Sequence, residues 1–318
     1  MRKLNAGVIG AGVFGGHHAR KYAADPRTDL VALYDIDGAR AAALAGELGV
    51  RAATSLEDFL SAVDVVTIAS IPVTHAAAAR AALEAGKHVL VEKPLATNAQ
   101  EGAELVRLAA EKKLVLACGH QERLVFEAMG LFAAPEKPRA IECVRAGPWT
   151  GRSADVSVTL DLMVHDLDLA LQLMGAAPVR VSARGRAVHG APADEMTALL
   201  TFPDGRSAKL TATRVAEART RTIRIAYPAG EARVDFIARG FENETGFPLD
   251  AGFTETPAGR DPLGANVARF VDAVTGAAPG PAVNGADAQA VLELALRIDR
   301  AAGLSSSSNA EGEHASVH

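Results

Sequence analysis

The chain has 318 residues, which is more than one hydrophobic core usually organises, so we expect two domains. Apolar residues make up 49% and charged residues 22% of the sequence, as is typical of a folded globular protein. The formal net charge of -5, with both signs interspersed, provides no basic stripe for a phosphate backbone and argues against nucleic acid as a partner. No run approaches the roughly 20 apolar residues that a membrane span needs, so we expect no membrane insertion.

The two cysteines, Cys118 and Cys143, fit neither a disulfide framework nor a metal-ligand spacing, and we interpret both as buried apolar residues. We therefore expect a reducing, cytoplasmic location. The N-terminal stretch has two positive charges and an apolar run, as a short secretory signal does, but its glycine spacing has a better explanation, given below. We therefore expect no secretion.

Short β-type runs alternate with longer Ala-rich helical runs in residues 1–118, which indicates a parallel, doubly wound sheet of the Rossmann type, an α/β domain. The predicted strands are Leu4–Ile9, Leu30–Tyr34, Val63–Ala69, His88–Val91 and Leu114–Ala117.

Residues 119–303 change rhythm and indicate an α+β domain with a mainly antiparallel, open-faced sheet. An uncovered sheet face favours a homo-oligomer, a dimer or tetramer. The Ser-rich segment 304–318 has no apolar periodicity, and we expect a disordered tail. The predicted strands are Val179–His189, Met196–Phe202, Ser207–Thr213 and Thr222–Tyr227, and the predicted helices are Val158–Met174, Asp261–Val274 and Ala286–Ala301.

The segment Gly10-Ala11-Gly12-Val13-Phe14-Gly15 follows a predicted strand and opens a helical run, which is the context of a dinucleotide-binding turn. Gly10 permits the tight turn, Gly12 lets a pyrophosphate approach the backbone, and Gly15 allows the helix to pack closely. Asp35, at the end of the second predicted strand, can accept hydrogen bonds from the adenosine ribose. A 2′-phosphate would be repelled by this carboxylate, so we predict NAD as the cofactor. NADP is the less favoured alternative, which Arg40 could partly accommodate.

Lys93 ends the predicted strand His88–Val91 within the sequence Glu92-Lys93-Pro94. Ligands of open parallel sheets bind at the carboxyl ends of the strands, so Lys93 would stand at the mouth of the cleft. A lysine at a strand end that extends into water is the alternative.

The predicted helix Val158–Met174 is apolar on almost every side, yet Asp161, His165, Asp168 and Gln172 fall on one stripe. An unpaired buried carboxylate is costly, so the stripe must face partners or a polar cleft. We expect Asp161 to orient His165 and raise its pKa, and Asp166 to face solvent. The alternatives are a self-satisfied core cluster and a zinc site, but no second histidine or glutamate completes a usual ligand set, so we predict no metal.

The glycine-rich turn, Ile71-Pro72-Val73-Thr74-His75 and Ala85–Ala96 together resemble the glucose-fructose oxidoreductase, inositol dehydrogenase and MocA family. The resemblance implies NAD-dependent oxidation of a CH-OH group, with a catalytic lysine (Lys93), a general acid/base (His165) and Asp161. It implies cofactor contacts from Gly10, Gly12, Val13, Phe14, Gly15, Asp35, Ala69, Ser70, His75, Glu92 and Lys93.

The segments Gly119–Arg123 and Leu160–Leu169 resemble short family members that oxidise the 3-hydroxyl of UDP-N-acetylglucosamine or a related nucleotide sugar. A diphosphate needs guanidinium partners, so the predicted substrate residues are Arg123, Arg145, Arg152 and Asp168. Each arginine has the alternative of an ordinary ion pair. Two other functions stay open at this point: dehydrogenation of a free sugar, inositol or other polyol, and cofactor sensing without turnover.

Overall fold

A computed structural model describes residues 2–190 and 192–304, and two sheets organise the chain within that part. The strands are β1 (Leu4–Ile9), β2 (Thr28–Tyr34), β3 (Arg51–Ala52), β4 (Val65–Ile68), β5 (His88–Val91), β6 (Leu116–Cys118), β7 (Ala140–Ala146), β8 (Arg180–Arg186), β9 (Glu195–Thr201), β10 (Ser207–Thr213), β11 (Thr220–Tyr227), β12 (Gly230–Asp235) and β13 (Gly240–Asn243).

Helices cover the first sheet on both faces and one face of the second. They are α1 (Val13–Ala24), α2 (Gly38–Leu48), α3 (Leu56–Ala62), α4 (His75–Glu84), α5 (Ala99–Lys112), α6 (Glu122–Ala128), α7 (Val164–Met174), α8 (Pro257–Arg260), α9 (Pro262–Thr275) and α10 (Gly285–Ala301). One turn of π-helix, Thr159–Met163, leads directly into α7.

The first sheet is parallel, with the strand order β3-β2-β1-β4-β5-β6. The order reverses between β1 and β4, and ligands of open parallel sheets bind in the crevice at that point. Strands β4 and β5 are buried along nearly their whole length, as expected for a sheet covered on both faces. The structure confirms the predicted Rossmann-type half.

The second sheet has the order β13-β12-β11-β7-β10-β9-β8 and is antiparallel except for the pairing of β7 with β10. Its strands alternate between buried and accessible residues, so one face packs on helices and the other stays open. This confirms the predicted second half, although the sequence patterns missed β7, β12 and β13.

The last two long helices return to the first half of the chain. Helix α9 buries Val267, Phe270 and Val271 in an apolar cluster that also contains Tyr22 of α1. Helix α10 packs against both α5 and α7. These contacts fix the second sheet firmly beside the first, which matters because the candidate site draws on both.

The segment predicted to be a disordered tail, 304–318, lies outside the described residues except for Leu304. That residue is partly buried, and its amide donates to the carbonyl of Asp299. No helix in the described ranges is long and apolar enough to cross a bilayer.

Candidate active site

The glycine-rich turn lies at the reversal of strand order, between β1 and α1. Gly10 has φ +97°, and a Cβ there would lie 2.6 Å from the amide nitrogen of Ser70, so only glycine fits. A Cβ on Gly15 would overlap the carbonyl oxygen of Gly10, whereas a Cβ on Gly12 would meet nothing within 4 Å. Gly10 and Gly15 thus maintain the turn, and the open space at Gly12 is where a pyrophosphate can approach the backbone.

Asp35 follows β2 and braces the same turn. Its Oδ2 accepts from the amide of Ala11 at 2.7 Å, and its Oδ1 accepts from the amide of Asp37 at 2.9 Å. Nη1 of Arg40 lies 3.8 Å from Oδ2 of Asp35, so the carboxylate of Asp35 partly offsets the positive charge of Arg40. A carboxylate at this position suits a ribose diol and repels a 2′-phosphate.

The loops after β4 and β5 are tied together by His75. Its Nδ1 lies 2.7 Å from the carbonyl oxygen of Pro94 and its Nε2 lies 3.2 Å from that of Ser70. The ring is 1% exposed, and burial lowers its pKa, which keeps it neutral. A neutral imidazole has one N–H, and the shorter contact places it on Nδ1, which donates to Pro94. His75 thus positions the loops that border the cofactor site, and its direct contact with a cofactor stays a prediction.

Glu92 is also a supporting residue. Its Oε1 lies 2.7 Å from Nε2 of buried His18, and its Oε2 accepts from the amide of Lys93 at 3.2 Å. A Cβ on Gly119 would come within 2.8 Å of Oε2, so this glycine leaves room for the carboxylate. Although burial opposes ionisation, His18 and Lys93 hold the pKa of Glu92 below its usual range.

Lys93 points from the first half of the chain to the π-helical turn of the second. Its Nζ donates to the carbonyl oxygen of Asp161 at 2.6 Å and to the carboxylate Oδ1 of Asp161 at 3.2 Å. Both side chains are mostly buried, 18% and 17% exposed. The ammonium therefore has a fixed position, and the alternative of a lysine extended into water is excluded by these contacts.

His165 begins α7 next to this pair, but its partner differs from the predicted one. Its Nδ1 lies 2.7 Å from Oε2 of Glu122 in α6. Asp161 instead forms an ion pair with Lys93, whose charge makes it a stronger partner than a neutral imidazole. Both Lys93 and Glu122 come from other elements, so the sequence of this one helix could not reveal them. The expectation that Asp161 orients His165 is therefore wrong, and Glu122 takes that place.

The charge state of His165 also differs from the prediction. Burial lowers its pKa below the usual 6.5, Glu122 raises it, and Arg145 and Lys93 lower it further, so the net shift is downward. The imidazole is neutral near pH 7. The pKa of Glu122 is held well below its usual range because His165 and Arg145 outweigh its burial.

His120, just after β6, completes the cluster and is not among the predicted site residues. Its ring lies edge-on to that of His165, with centroids 6.1 Å apart. It is 2% exposed, and burial, with the nearby Arg123 guanidinium adding to it, lowers its pKa well below the usual value. Its signals in the sequence are its place two residues beyond the end of β6 and its position within the segment Gly119–Arg123 that carries the resemblance.

Arg123 and Asp168, both predicted as substrate residues, pair with each other in the structure. Arg123 Nε donates to Asp168 Oδ2 at 3.1 Å, a second guanidinium nitrogen bonds the other carboxylate oxygen, and Nη1 donates to Asp287 Oδ2 at 2.5 Å. Asp168 is fully buried. The two carboxylates occupy the guanidinium, so this group stabilises the packing of α6, α7 and α10.

Arg145 is occupied in the same way. It lies on β7, 2% exposed, and donates to both carboxylate oxygens of Asp166, with Nη2 2.8 Å from Oδ1. Its Nη1 also donates to Glu122 at 3.3 Å. Asp166 is buried rather than solvated, which corrects the expectation that it faces solvent. Arg145 directs Nε and both terminal nitrogens at carboxylates of its own fold, and its role as a substrate residue stays a prediction.

Arg152 behaves differently, since it is exposed in the loop after β7. Its guanidinium carbon lies 5.3 Å from the centroid of the Phe14 ring, within reach of a cation–π contact with the glycine-rich turn. Val13, in that turn, is 69% exposed. The described part of the chain holds no group of three histidine, cysteine or carboxylate side chains that could bind a metal ion.

The fold and the site together define an oxidoreductase of two halves. The first half is built to bind a nicotinamide dinucleotide, and the second supplies the imidazole of His165 beside Lys93. A family model described as "Oxidoreductase family, NAD-binding Rossmann fold" matches residues 4–120, and the "GFO/IDH/MocA C-terminal domain" matches residues 125–233. The chain belongs to the Gfo/Idh/MocA family of NAD-dependent oxidoreductases, which confirms the predicted family, enzyme class and cofactor.

Characterised relatives extend the comparison over the whole chain. The UDP-N-acetylglucosamine 3-dehydrogenase of Acidithiobacillus ferrooxidans is 38% identical over 309 residues, covering 94% of this chain and 97% of that protein. A solved structure of that dehydrogenase is similar with a TM-score of 0.85 over 95% of this chain and 98% of that one, at 36% identity.

Two other relatives are more distant. GenD2 from gentamicin A biosynthesis, solved in complex with NAD, is 26% identical with a TM-score of 0.81 and covers 95% of this chain and 95% of that one. The inositol 2-dehydrogenase 3 of Saccharopolyspora erythraea is 33% identical over 177 residues, 52% of each protein. Similarity to the first relative extends through both halves of the chain, whereas the inositol enzyme matches about half.

Proposed function

We propose that this protein oxidises a hydroxyl of a sugar ring in a nucleotide sugar, the 3-hydroxyl of UDP-N-acetylglucosamine, with Lys93 and His165 at the reacting centre. The observation that carries the proposal is the convergence of Lys93, from the end of β5, with the segment 161–165 of the second half through the 2.6 Å contact to Asp161. The similarity to a dehydrogenase of that substrate along 94% of the chain supports the choice of sugar.

His165 is the proposed general base. Its Nδ1 is held by ionised Glu122, which fixes the proton on Nδ1 and leaves Nε2, without a hydrogen bond in the described structure, to take the proton of the substrate hydroxyl. The lowered pKa keeps the ring neutral and ready to accept a proton at neutral pH. As the imidazolium forms, the carboxylate of Glu122 stabilises its charge.

Lys93 is the proposed electrostatic partner of the reacting oxygen. Asp161 holds the ammonium in place without removing its charge, and the remaining donor can bond the hydroxyl oxygen as negative charge develops there. A fixed donor costs no reorganisation during the reaction. In this scheme Asp161 is a positioning residue for Lys93, and its role as a catalytic residue stays a prediction.

NAD, when bound, accepts the hydride from the carbon that carries the oxidised hydroxyl. We infer that Gly12, Val13 and Phe14 line the pyrophosphate side of its site, that Asp35 bonds the ribose, and that Ala69 and Ser70 border the dinucleotide at the end of β4. The open space at Gly12 supports the fit of a dinucleotide to this chain. The exposed side chain of Val13 provides an apolar surface beside the same turn.

We also infer that the open face of the second sheet associates with a second copy of the chain. Leu199 on this face is 46% exposed. On the same face, Glu142 accepts hydrogen bonds from Lys209 and Arg224, and such internally paired charges are compatible with an interface between identical subunits. Sedimentation that finds a monomer at micromolar concentration would remove this inference. The buried free thiols Cys118 and Cys143 support a reducing compartment.

The test of the proposed function is NADH formation by the purified protein with UDP-N-acetylglucosamine, free N-acetylglucosamine, myo-inositol and a panel of free hexoses. The proposal expects turnover with the nucleotide sugar and a much lower kcat/KM with free sugars. Efficient oxidation of inositol or a hexose, with none of the nucleotide sugar, would contradict it. NADH binding without turnover of any substrate would favour a sensor.

A further inference from the structure

Two of the three arginines that the sequence analysis predicts as substrate residues are occupied by partners within the fold. Arg123 and Arg145 are enclosed by carboxylates of their own fold. The side chains of three arginines form no hydrogen bond or ion pair with any described residue and are accessible to solvent. They are Arg219, Arg221 and the third predicted substrate arginine, Arg152. They gather at one end of the second sheet.

Arg221 lies closest to the reacting centre. It is the cross-strand partner of Arg145 in the pairing of β11 with β7, so both side chains project from the covered face of the sheet. Arg145 contacts Glu122, and Glu122 contacts His165. Arg221 therefore stands beside the network that orients the proposed base, with its own guanidinium unengaged.

Arg219 and Arg152 continue from Arg221 toward the glycine-rich turn. The Cγ of Arg219 lies 3.6 Å from where a Cβ of Gly147 would stand, so Arg219 packs against the loop that follows β7. Arg152 lies in that same loop and reaches over the ring of Phe14. Arg221 thus neighbours the network around His165, Arg219 packs on the loop after β7, and Arg152 of that loop contacts the cofactor turn.

This group carries uncompensated positive charge. The pKa of Arg221 is lowered, first by partial burial and then by the charges of Arg145 and Arg219, with Glu122 and Asp166 opposing. Like charges on facing strand positions destabilise a sheet unless an anion offsets them. A neutral sugar offers the unpaired guanidinium of Arg221 no charged partner, whereas a diphosphate offers acceptor oxygens in the geometry that guanidinium groups bond in pairs.

We propose that Arg221, with Arg219 and Arg152, forms the diphosphate-binding side of the substrate cleft and so selects nucleotide sugars over free sugars. The inference rests on the proposed function and deepens it. Arg221 contributes binding in both the ground state and the transition state, so its loss raises KM and leaves kcat largely intact.

The test replaces Arg221 with Gln and with Lys and measures three quantities: kcat and KM for UDP-N-acetylglucosamine, the Kd of NADH, and the Kd of UDP by calorimetry in the presence of NADH. We expect Arg221→Gln to raise KM and the Kd of UDP by about 10- to 100-fold, with kcat changed by less than about 3-fold and the Kd of NADH unchanged. Arg221→Lys, which keeps the charge but loses the paired donors, should fall between. Arg107→Gln is the matched control, because that exposed arginine pairs only with Glu111 of its own helix.

The outcomes separate the two proposals. If the wild type oxidises the nucleotide sugar and Arg221→Gln leaves its KM and the Kd of UDP unchanged, the arginine assignment is wrong and the proposed function stands. If the wild type turns over only free sugars yet binds UDP through Arg221, the assignment stands and the proposed substrate is wrong. An equal loss of NADH and UDP binding in a variant with an unchanged melting temperature would reassign Arg221 to the cofactor and overturn the inference.

Discussion

Replacing Glu122 with Gln tests whether this carboxylate, rather than Asp161, controls the proposed base. The substitution keeps the size of the side chain but removes its charge. Arg145 donates to Oε1, so the Gln oxygen will face Arg145 and its amide nitrogen will face Nδ1 of His165. That arrangement requires Nδ1 to accept, which moves the ring proton to Nε2 and blocks the nitrogen that must take the substrate proton.

The size of the effect follows from the two interactions that change. Hydrogen bonds to charged groups stabilise by about 1.5–3 kcal/mol against about 0.5–1.5 for neutral ones, so the forming imidazolium loses about 1–1.5 kcal/mol. Recovering the productive tautomer places two donors face to face and costs about 1–2 kcal/mol more. Together these terms lower kcat by about 30- to 400-fold.

The assay is the pH dependence of kcat and kcat/KM for NADH formation. His165 acts as a base when neutral, so activity falls as the pH drops through its pKa, which burial keeps below 6.5. Loss of the carboxylate removes the contribution that raises this pKa, so the acid limb in Glu122→Gln should lie at lower pH than in the wild type. Glu127→Gln is the matched control, because Glu127 is exposed on the same helix and pairs with Arg269. A Glu122→Gln enzyme with wild-type kcat, or with its acid limb moved to higher pH, would refute the reasoning.

The remaining predictions concern the base, the turn and the buried ion pair. His165→Ala should lower turnover by roughly 10²- to 10⁴-fold with NADH affinity unchanged in a fluorescence titration, and near-normal turnover would remove its assigned role. Gly12→Ala should leave the melting temperature unchanged but weaken NADH binding at least about 10-fold, because the new methyl group enters open space that a pyrophosphate needs. Gly15→Ala should weaken NADH binding and also lower the melting temperature. Equal melting temperatures of the two variants would contradict these assignments. Asp168→Asn should reduce the free energy of unfolding in urea by about 3 kcal/mol, because Arg123 loses a buried partner; an unchanged stability with a raised KM would restore Asp168 to the substrate site.

The sequence predicted the Rossmann-type half well because its signals are local. The glycines, the strand before them and Asp35 occur at fixed spacings, and β1 and β5 have the predicted bounds. Lys93 was identified for the same reason, since a strand end and the following proline both lie within a few residues. The second sheet was harder to predict. Strand β7 pairs in parallel with β10, whose residues lie 67 positions further along the chain, and no local pattern encodes that pairing.

The partners of the helix stripe could not be predicted because each comes from another element. Four polar residues of one apolar segment have four different partners in the structure. The pairs are Asp161 with Lys93, His165 with Glu122, Asp166 with Arg145 and Asp168 with Arg123. Periodicity shows that such side chains need partners; it does not show which side chains supply them. The sequence could not indicate the carboxylate partners of Arg123 and Arg145 for this reason, since the same guanidinium suits a phosphate and a buried carboxylate.

Hydride transfer from carbon 3 of the sugar to the bound cofactor is the central claim, and isotopic labelling tests it most directly. UDP-N-acetylglucosamine deuterated at that carbon, incubated with the protein and NAD, should yield NADH that carries the deuterium at carbon 4 of the nicotinamide, with slower turnover in the single-turnover phase. NADH without deuterium would show that another position is oxidised, and no NADH from this substrate would contradict the account.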